Sequence, residues 1–435
     1  MDSLILNGTI VNSEKEPYKA DILISGGMIS KIEPHICPED LGYSIENLEI
    51  IDAAGCHILP GLVDAHCHLR DPGQEYREDI YSGTRSAAAG GFTDIACMPN
   101  TNPVVDNKTV VRYIVEKAEK VGAVRVHPIG SVTKGLTGTE LSEIGMMKEA
   151  GIVAVSDDGK PVVSSSIMLK AMTYANQFGL KVISHCEDPD LAEGGTMNEG
   201  VVSTKLGLRG IPTAAEDLMV SREIILSEYS GIPVHIAHIS TKGAVQMVRD
   251  AKMRGVRVTA ETCPHYFTLT EEACNGYDTN AKMNPPLRTK KDMLAVIEGL
   301  RDGTLDMIVT DHAPHHIDEK NVEFDKANNG ILGFETAFSL SLTYLVKADI
   351  LSLPELVTCM SAAPLEMLGL PAKCIDIGSV ADLVIVDIEK EWVVDRTKMV
   401  SKSTNTPYVG WKLKGVVEYT LVAGKAVVKA GKVVV

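Results

Sequence analysis

Basic residues are scarce relative to acidic ones: 42 lysines and arginines stand against 58 aspartates and glutamates, a formal charge of −16. Such a surface repels nucleic acid and anionic membranes, so an anionic substrate would need a local positive site. No apolar run approaches membrane-spanning length, and the opening MDSLILNGTIVNSE lacks the basic start and apolar stretch of a signal peptide, so a cytoplasmic protein is expected. The nine cysteines are odd in number and include no CxxC pair, which argues against a disulfide framework; several sit in apolar strands, as buried free thiols do. Low-complexity tracts and the glycine fingerprint of dinucleotide-binding sheets are also missing.

What is present is an ordinary globular composition, 45% hydrophobic, 23% charged and 5% aromatic, over 435 residues. That length exceeds the usual single domain. Residues 1–60 read as short alternating strands with Asn-Gly and Gly-Gly turns, and residues 371–435 have the same texture, so the two ends are expected to form one small composite β-sandwich. Between them, residues 61–370 alternate apolar runs with helical stretches at 106–121, 139–150, 164–178, 213–229, 241–254 and 290–302. Eight βα units can be counted, which predicts an α/β fold built on a closed (β/α)8 TIM-type barrel.

The predicted strands end on chemistry. ILPGLVDAHCH ends on His66 and His68, GIVAVSDDG on Asp157 and Asp158, LKVISHCED on His185, IPVHIAHIS on His238, and LDMIVTDHAPH on Asp311. In barrel enzymes these C-terminal strand ends form the active mouth. The two-residue strand period turns His66 and His68 to one face and Cys67 to the other, so the histidines can share an ion that the thiol cannot reach. Four histidines and two carboxylates suit zinc, with manganese, cobalt or iron as weaker candidates. Six ligands are too many for one open zinc and fit two ions sharing a carboxylate. His35, His57, His127 and His235 read as structural histidines, and His265 as either structural or lining the mouth.

DAHCHLRDPG, ACMPNT, SDDGK, ISHCED, IAHIST, KMNPPLR and TDHAPH together resemble the amidohydrolase superfamily, and the type I dihydroorotases in particular. The resemblance implies two Zn2+ ions per subunit, one on His66 and His68, the other on His185 and His238, bridged by Asp158 and a hydroxide nucleophile. Many relatives bridge with a carboxylated lysine; here Asp158 stands at that place, and Lys160 is given no metal role. Asp311 corresponds to the superfamily's metal-binding general acid and base. The implied substrate set is His68, Arg70, Asn100, Asn284, His315, Asn329 and Gly330, with Arg70 suited to bidentate carboxylate binding. Where relatives often read Pro-Phe-Gly, this chain reads Asn328, Asn329, Gly330, and backbone contacts there tolerate the change.

The implied reaction is the reversible conversion of dihydroorotate to N-carbamoyl-L-aspartate in pyrimidine synthesis. A homodimer is a family expectation, and association with aspartate transcarbamoylase is a further one; no nucleic-acid or membrane partner is expected. The rival readings are an allantoinase or hydantoinase, whose substrates lack the carboxylate, and a noncatalytic scaffold for aspartate transcarbamoylase, which would not need all six ligands.

Overall fold

Five strands come from the N-terminal end: β1 (Asp2–Asn12), β2 (Lys15–Ser25), β3 (Met28–Glu33), β4 (Leu48–Asp52) and β5 (His57–Pro60). The computed structural model describes residues 2–13, 15–38 and 48–435; residues 1, 14 and 39–47, which the sequence assigns to the terminal β domain, lie outside the described residues.

The barrel strands follow as β6 (Leu62–Cys67), β7 (Phe92–Cys97), β8 (Arg125–Pro128), β9 (Val155–Ser156) and β10 (Val182–Ser184). A short parallel pair, β11 (Met197–Asn198) and β12 (Gly210–Ile211), interrupts them. The series then ends with β13 (Val234–Ile236), β14 (Val258–Thr262) and β15 (Met307–Ile308). All barrel pairings are parallel. The two resulting sheets join through single bridges, Gly130 to Val155 and Cys67 to His312, which close the ring of eight.

Several barrel strands are shorter than their apolar runs because buried carboxylates take over the backbone donors where the ladder stops. Asp64 accepts from the Thr310 amide (2.9 Å) and hydroxyl (2.6 Å), linking first strand to last. Asp157 accepts from the amides of Val132 (2.7 Å) and Thr133 (3.0 Å), and Glu216 from those of Ser240 (2.9 Å) and Thr241 (3.1 Å). These side chains let the backbone flare into the mouth without unpaired donors.

The surrounding helices lie near their expected places, including Lys108–Val121, Ser165–Asn176, Ala214–Ser230, Lys242–Met253 and Lys290–Arg301. The helix expected at 139–150 begins only at Ile144, because Leu141 is held in a bridge to Thr133. No helix among the described residues is long and apolar enough to cross a membrane.

The C-terminal end supplies β16 (Leu383–Val393), β17 (Lys412–Val422), β18 (Lys425–Lys429) and β19 (Lys432–Val433). They join the N-terminal strands in one nine-stranded sheet, ordered β19-β18-β17-β16-β5-β1-β2-β3 with β4 beside β1. The two arms share an apolar cluster in which Ile22, Ile24 and Ile29 meet Leu383, Ile385 and Leu421, the packing of a sandwich. The chain between β16 and β17 leaves this sheet and runs over the barrel. There the Glu335 carboxylate accepts from the amides of Val400 (3.0 Å) and Ser401 (3.1 Å), and the Asn405 side chain accepts from the His315 amide (3.0 Å).

Candidate metal centre and anion pocket

His66, His68, Asp158, His185, His238 and Asp311 all lie buried at the barrel mouth. Asp158 is their common neighbour. Its Oδ1 is 3.4 Å from His66 Nε2, 3.5 Å from His185 Nδ1 and 3.4 Å from His238 Nε2, while Oδ2 is 3.5 Å from His68 Nε2. Asp311 Oδ1 lies 3.1 Å from His68 Nε2 and 3.7 Å from His66 Nε2. Tetrahedral donors about 2.0–2.1 Å from a zinc ion stand roughly 3.3 Å apart, so these spacings suit a metal among the atoms. Among the described residues three groups satisfy a common-ion geometry: His66 with His68 and Asp311, His66 with Asp158 and His238, and Cys263 with His265 and Asp311.

The outer atoms of the rings show why those inner nitrogens are free. His66 Nδ1 meets Glu261 Oε1 at 2.6 Å and His68 Nδ1 meets Asn100 Oδ1 at 2.9 Å, which assigns the proton to Nδ1 and leaves Nε2 as a lone pair facing inward. Buried His66 Nε2 has no hydrogen-bond partner. His185 Nδ1 and His238 Nε2 converge to 2.8 Å, two imidazole nitrogens directed at one point. The donor set therefore fits divalent metal.

Asp157 faces the other way. Besides the two amides it accepts from the Thr133 hydroxyl, and burial pushes its carboxyl up to about 6. Cys67 is turned from the site and donates to the Ala96 carbonyl at 3.3 Å, while Cys186 lies against Ser184. Burial raises both thiols well above their ordinary range. His265 and Cys263 lie within reach of Asp311, and burial pushes His265 down to about 4, a neutral ring.

Beside the metal cluster is a cavity of about 460 Å³ lined by Arg70, Asn100, Lys160, Asn284, His315 and the 328–330 segment, among others. Arg70 is 8% exposed, and no described carboxylate lies within ion-pair distance of it; its Nε donates to the Pro314 carbonyl at 3.2 Å. Burial, with Arg77 nearby, brings its guanidinium down to about 10. His315 is held neutral by burial and by Arg70, and the Asn329 carbonyl 2.7 Å from Nε2 assigns the ring proton there. Asn100, its oxygen engaged by His68, is left with its amide N–H groups; the buried Asn284 Oδ1 has no partner. Gly330 has φ +126°, and a Cβ there would meet Ala313 Cβ at 2.6 Å.

Arg70, His238 and Asp311 all adopt positive φ, at 60°, 30° and 45°. Such conformations cost about 1–3 kcal/mol each and persist where surrounding contacts over-determine them.

Sequence reasoning missed two carboxylates. Glu261 holds His66, meets His235 Nε2 at 2.9 Å and accepts from the His238 amide at 3.3 Å, and no spacing in the sequence marks it. Glu187 approaches His185 Nε2 at 3.9 Å, two residues beyond it in the chain. His235 and His127 are tied to Glu261 and Asp94, away from the cavity, and His35 is exposed. His57 is half-buried on β5.

Comparison with known proteins gives concordant results. The family described as "Dihydro-orotase-like" matches residues 55–244. The chain is 59% identical to a dihydroorotase of Acetivibrio thermocellus, covering 94% of each chain, and 56% identical to one of Ruminiclostridium cellulolyticum, covering 99% of each. Among solved structures, it superposes on an L-hydantoinase (dihydropyrimidinase) from Arthrobacter aurescens with TM-score 0.88 at 26% identity, covering 100% of this chain and 97% of that one. A D-hydantoinase matches with TM-score 0.84 at 28% identity, over 100% and 96%.

Proposed function

The chain belongs to the dihydroorotase family, and from that premise we propose that it interconverts (S)-dihydroorotate and N-carbamoyl-L-aspartate in cytoplasmic pyrimidine synthesis. It is a cyclic amide hydrolase. Ring opening adds water across one ring amide: a C–O bond forms, the C–N bond breaks, and a carboxylate and a ureido NH2 result. Closure reverses this and consumes a proton.

The observation that carries the substrate is Arg70. A buried guanidinium without a carboxylate is costly, and an anionic ligand offsets that cost with a two-pronged contact. Dihydroorotate brings a carboxylate; allantoin and simple hydantoins do not. In this reading Asn100 donates its amide N–H groups alongside Arg70, and Asn284 Oδ1 accepts from a ring N–H. His315 orders the Asn329 and Gly330 backbone against the ring, and His68 borders both metal and substrate.

The proposed metal is zinc, two ions, which His66, His68, Asp158, His185, His238 and Asp311 would hold. Zinc held there would supply bound water acidified toward a pKa of about 7 and positive charge for the carbonyl oxygen. Asp311, 3.1 Å from His68 Nε2 at the inner end of the cavity, takes the proton from the attacking water and gives it to the departing ring nitrogen. Glu261 and Asn100 keep the tautomers of His66 and His68 fixed through the cycle.

A steady-state assay tests the substrate. Dihydroorotate turnover should exceed that of allantoin or hydantoin by orders of magnitude; preferential hydrolysis of either uncharged ring would overturn the reading. A purely scaffolding role has no use for six converging ligands. The homodimer and a contact with aspartate transcarbamoylase, both supported by the resemblance, are tested by sedimentation of the purified chain alone and with that enzyme.

A further inference from the structure

One part of the cavity lining is formed by residues 328–330, a stretch with no helix or strand to hold it. What holds it is a lysine. Lys320, at the end of the short helix Ile317–Lys320, is 4% exposed and points its ammonium at three backbone carbonyls: Asn328 (2.7 Å), Gly330 (3.1 Å) and Lys282 (3.4 Å). All three N–H donors are thereby used, and no described carboxylate lies within ion-pair distance. A lysine buried without a counter-ion is expensive, and converging carbonyls are what make it tolerable.

A second side chain reaches the same segment from 75 residues further along the chain. The Asn405 amide donates to the Gly330 carbonyl (3.0 Å) and the Ala313 carbonyl (3.0 Å), while its oxygen accepts from the His315 amide (3.0 Å). Gly330 thus receives both clamps on one carbonyl, and its own amide donates to Lys282 at 2.9 Å. The turn carrying Lys320 is itself anchored, since Glu319 takes hydrogen bonds from Tyr76 (2.9 Å) and from Arg77. The result is a fixed Asn329 carbonyl for His315 and a fixed position of His315 beside Arg70.

We propose that Lys320 and Asn405 are positioning residues that set the 328–330 backbone against the substrate ring and His315 beside Arg70 for the carboxylate, without touching the substrate or the metal ligands. This rests on the dihydroorotase reading for the identity of the substrate alone. The pair acts on binding of the non-reacting end, so its loss should appear in KM more than in kcat.

The test compares Lys320→Met and Asn405→Ala with the wild-type protein. Expected are a rise in KM for dihydroorotate of at least about tenfold for Lys320→Met and about threefold or more for Asn405→Ala, with kcat within about threefold and metal content unchanged. Backbone hydrogen exchange over residues 326–334 should quicken in both. Asn405→Asp provides a finer probe, because it keeps the acceptor for His315 and loses only the donors; it should raise KM as well. Should Lys320→Met fail to fold, the two Asn405 variants carry the same readouts. KM within twofold of wild type in the folded variants, or a lowered melting temperature with unchanged KM, overturns the proposal. If wild-type protein does not turn over dihydroorotate, the substrate reading fails by itself, and hydrogen exchange still decides the positioning role: unchanged protection of 326–334 refutes it.

Discussion

Replacing Arg70 with methionine should move activity and stability in opposite directions. In the free protein the guanidinium is buried without a carboxylate, and its fall from the ordinary arginine range to about 10 corresponds to roughly 3 kcal/mol of penalty on the charged form. For a base whose folded pKa is depressed, that penalty is fully present at every pH below about 10 and fades only as pH climbs toward the ordinary arginine range. Methionine removes it at neutral pH and keeps most of the length. The lost hydrogen bond to Pro314 takes back about 1 kcal/mol, leaving a net gain of about 1–2 kcal/mol. In a chain of this size such a gain raises Tm by only about 1–2 °C. With substrate present the sign reverses. Truncating one side of a buried charge pair costs about 2–5 kcal/mol, a loss in kcat/KM of roughly 30-fold to several thousand-fold, falling mostly on KM. Steady-state kinetics on dihydroorotate, paired with calorimetry of the ligand-free protein, reads both. A kcat/KM within about threefold of wild type would refute the assignment of Arg70 to the substrate carboxylate.

Three further outcomes are expected. Asp311→Asn should cut kcat by about 10²–10⁴ while leaving circular dichroism unchanged, and near-normal turnover would remove Asp311 from proton transfer. Asp158→Ala should lower bound metal measured by elemental analysis, since this carboxylate neighbours all four histidines; full occupancy would contradict its bridging place. At the far end of the barrel, buried Asp94 meets His127 (2.8 Å), Lys373 and Arg125 (3.3 Å), contacts that outweigh burial and hold its carboxyl well below the usual range. Its contribution is present above the unfolded value near 3.8 and is lost as pH falls below it, so Asp94→Asn should destabilise by about 1–3 kcal/mol at pH 7, and by much less in strong acid, with turnover unaffected at 25 °C.

The strand-end histidines were legible because a period-two strand that turns polar at its last residues has few explanations, and five such ends in barrel order have fewer. Two adjacent aspartates were harder. Only their surroundings separate them, Asp157 being occupied by the Val132 and Thr133 amides and Asp158 by imidazoles, and no spacing rule encodes which neighbour a carboxylate meets. Glu261 stayed hidden because a single glutamate in an apolar strand has no pattern; its meaning comes from His66 and His235 on two other strands. Asn405 was further out of reach. Its stretch reads as part of the terminal β domain, yet it spends its hydrogen bonds on the barrel, a contact across 90 residues of sequence.

That excursion between β16 and β17 bears on how the protein is made. Synthesis proceeds from the N-terminus, and domains form as their residues emerge. Every proposed metal ligand has been synthesised once Asp311 is in place, but the clamp on His315 and Gly330 waits for Asn405. A chain ending between these two positions would carry every proposed metal ligand and lack the Asn405 hydrogen bonds to His315 and Gly330. In the order of synthesis, the last hydrogen bonds to the proposed anion pocket thus come well after the last proposed metal ligand.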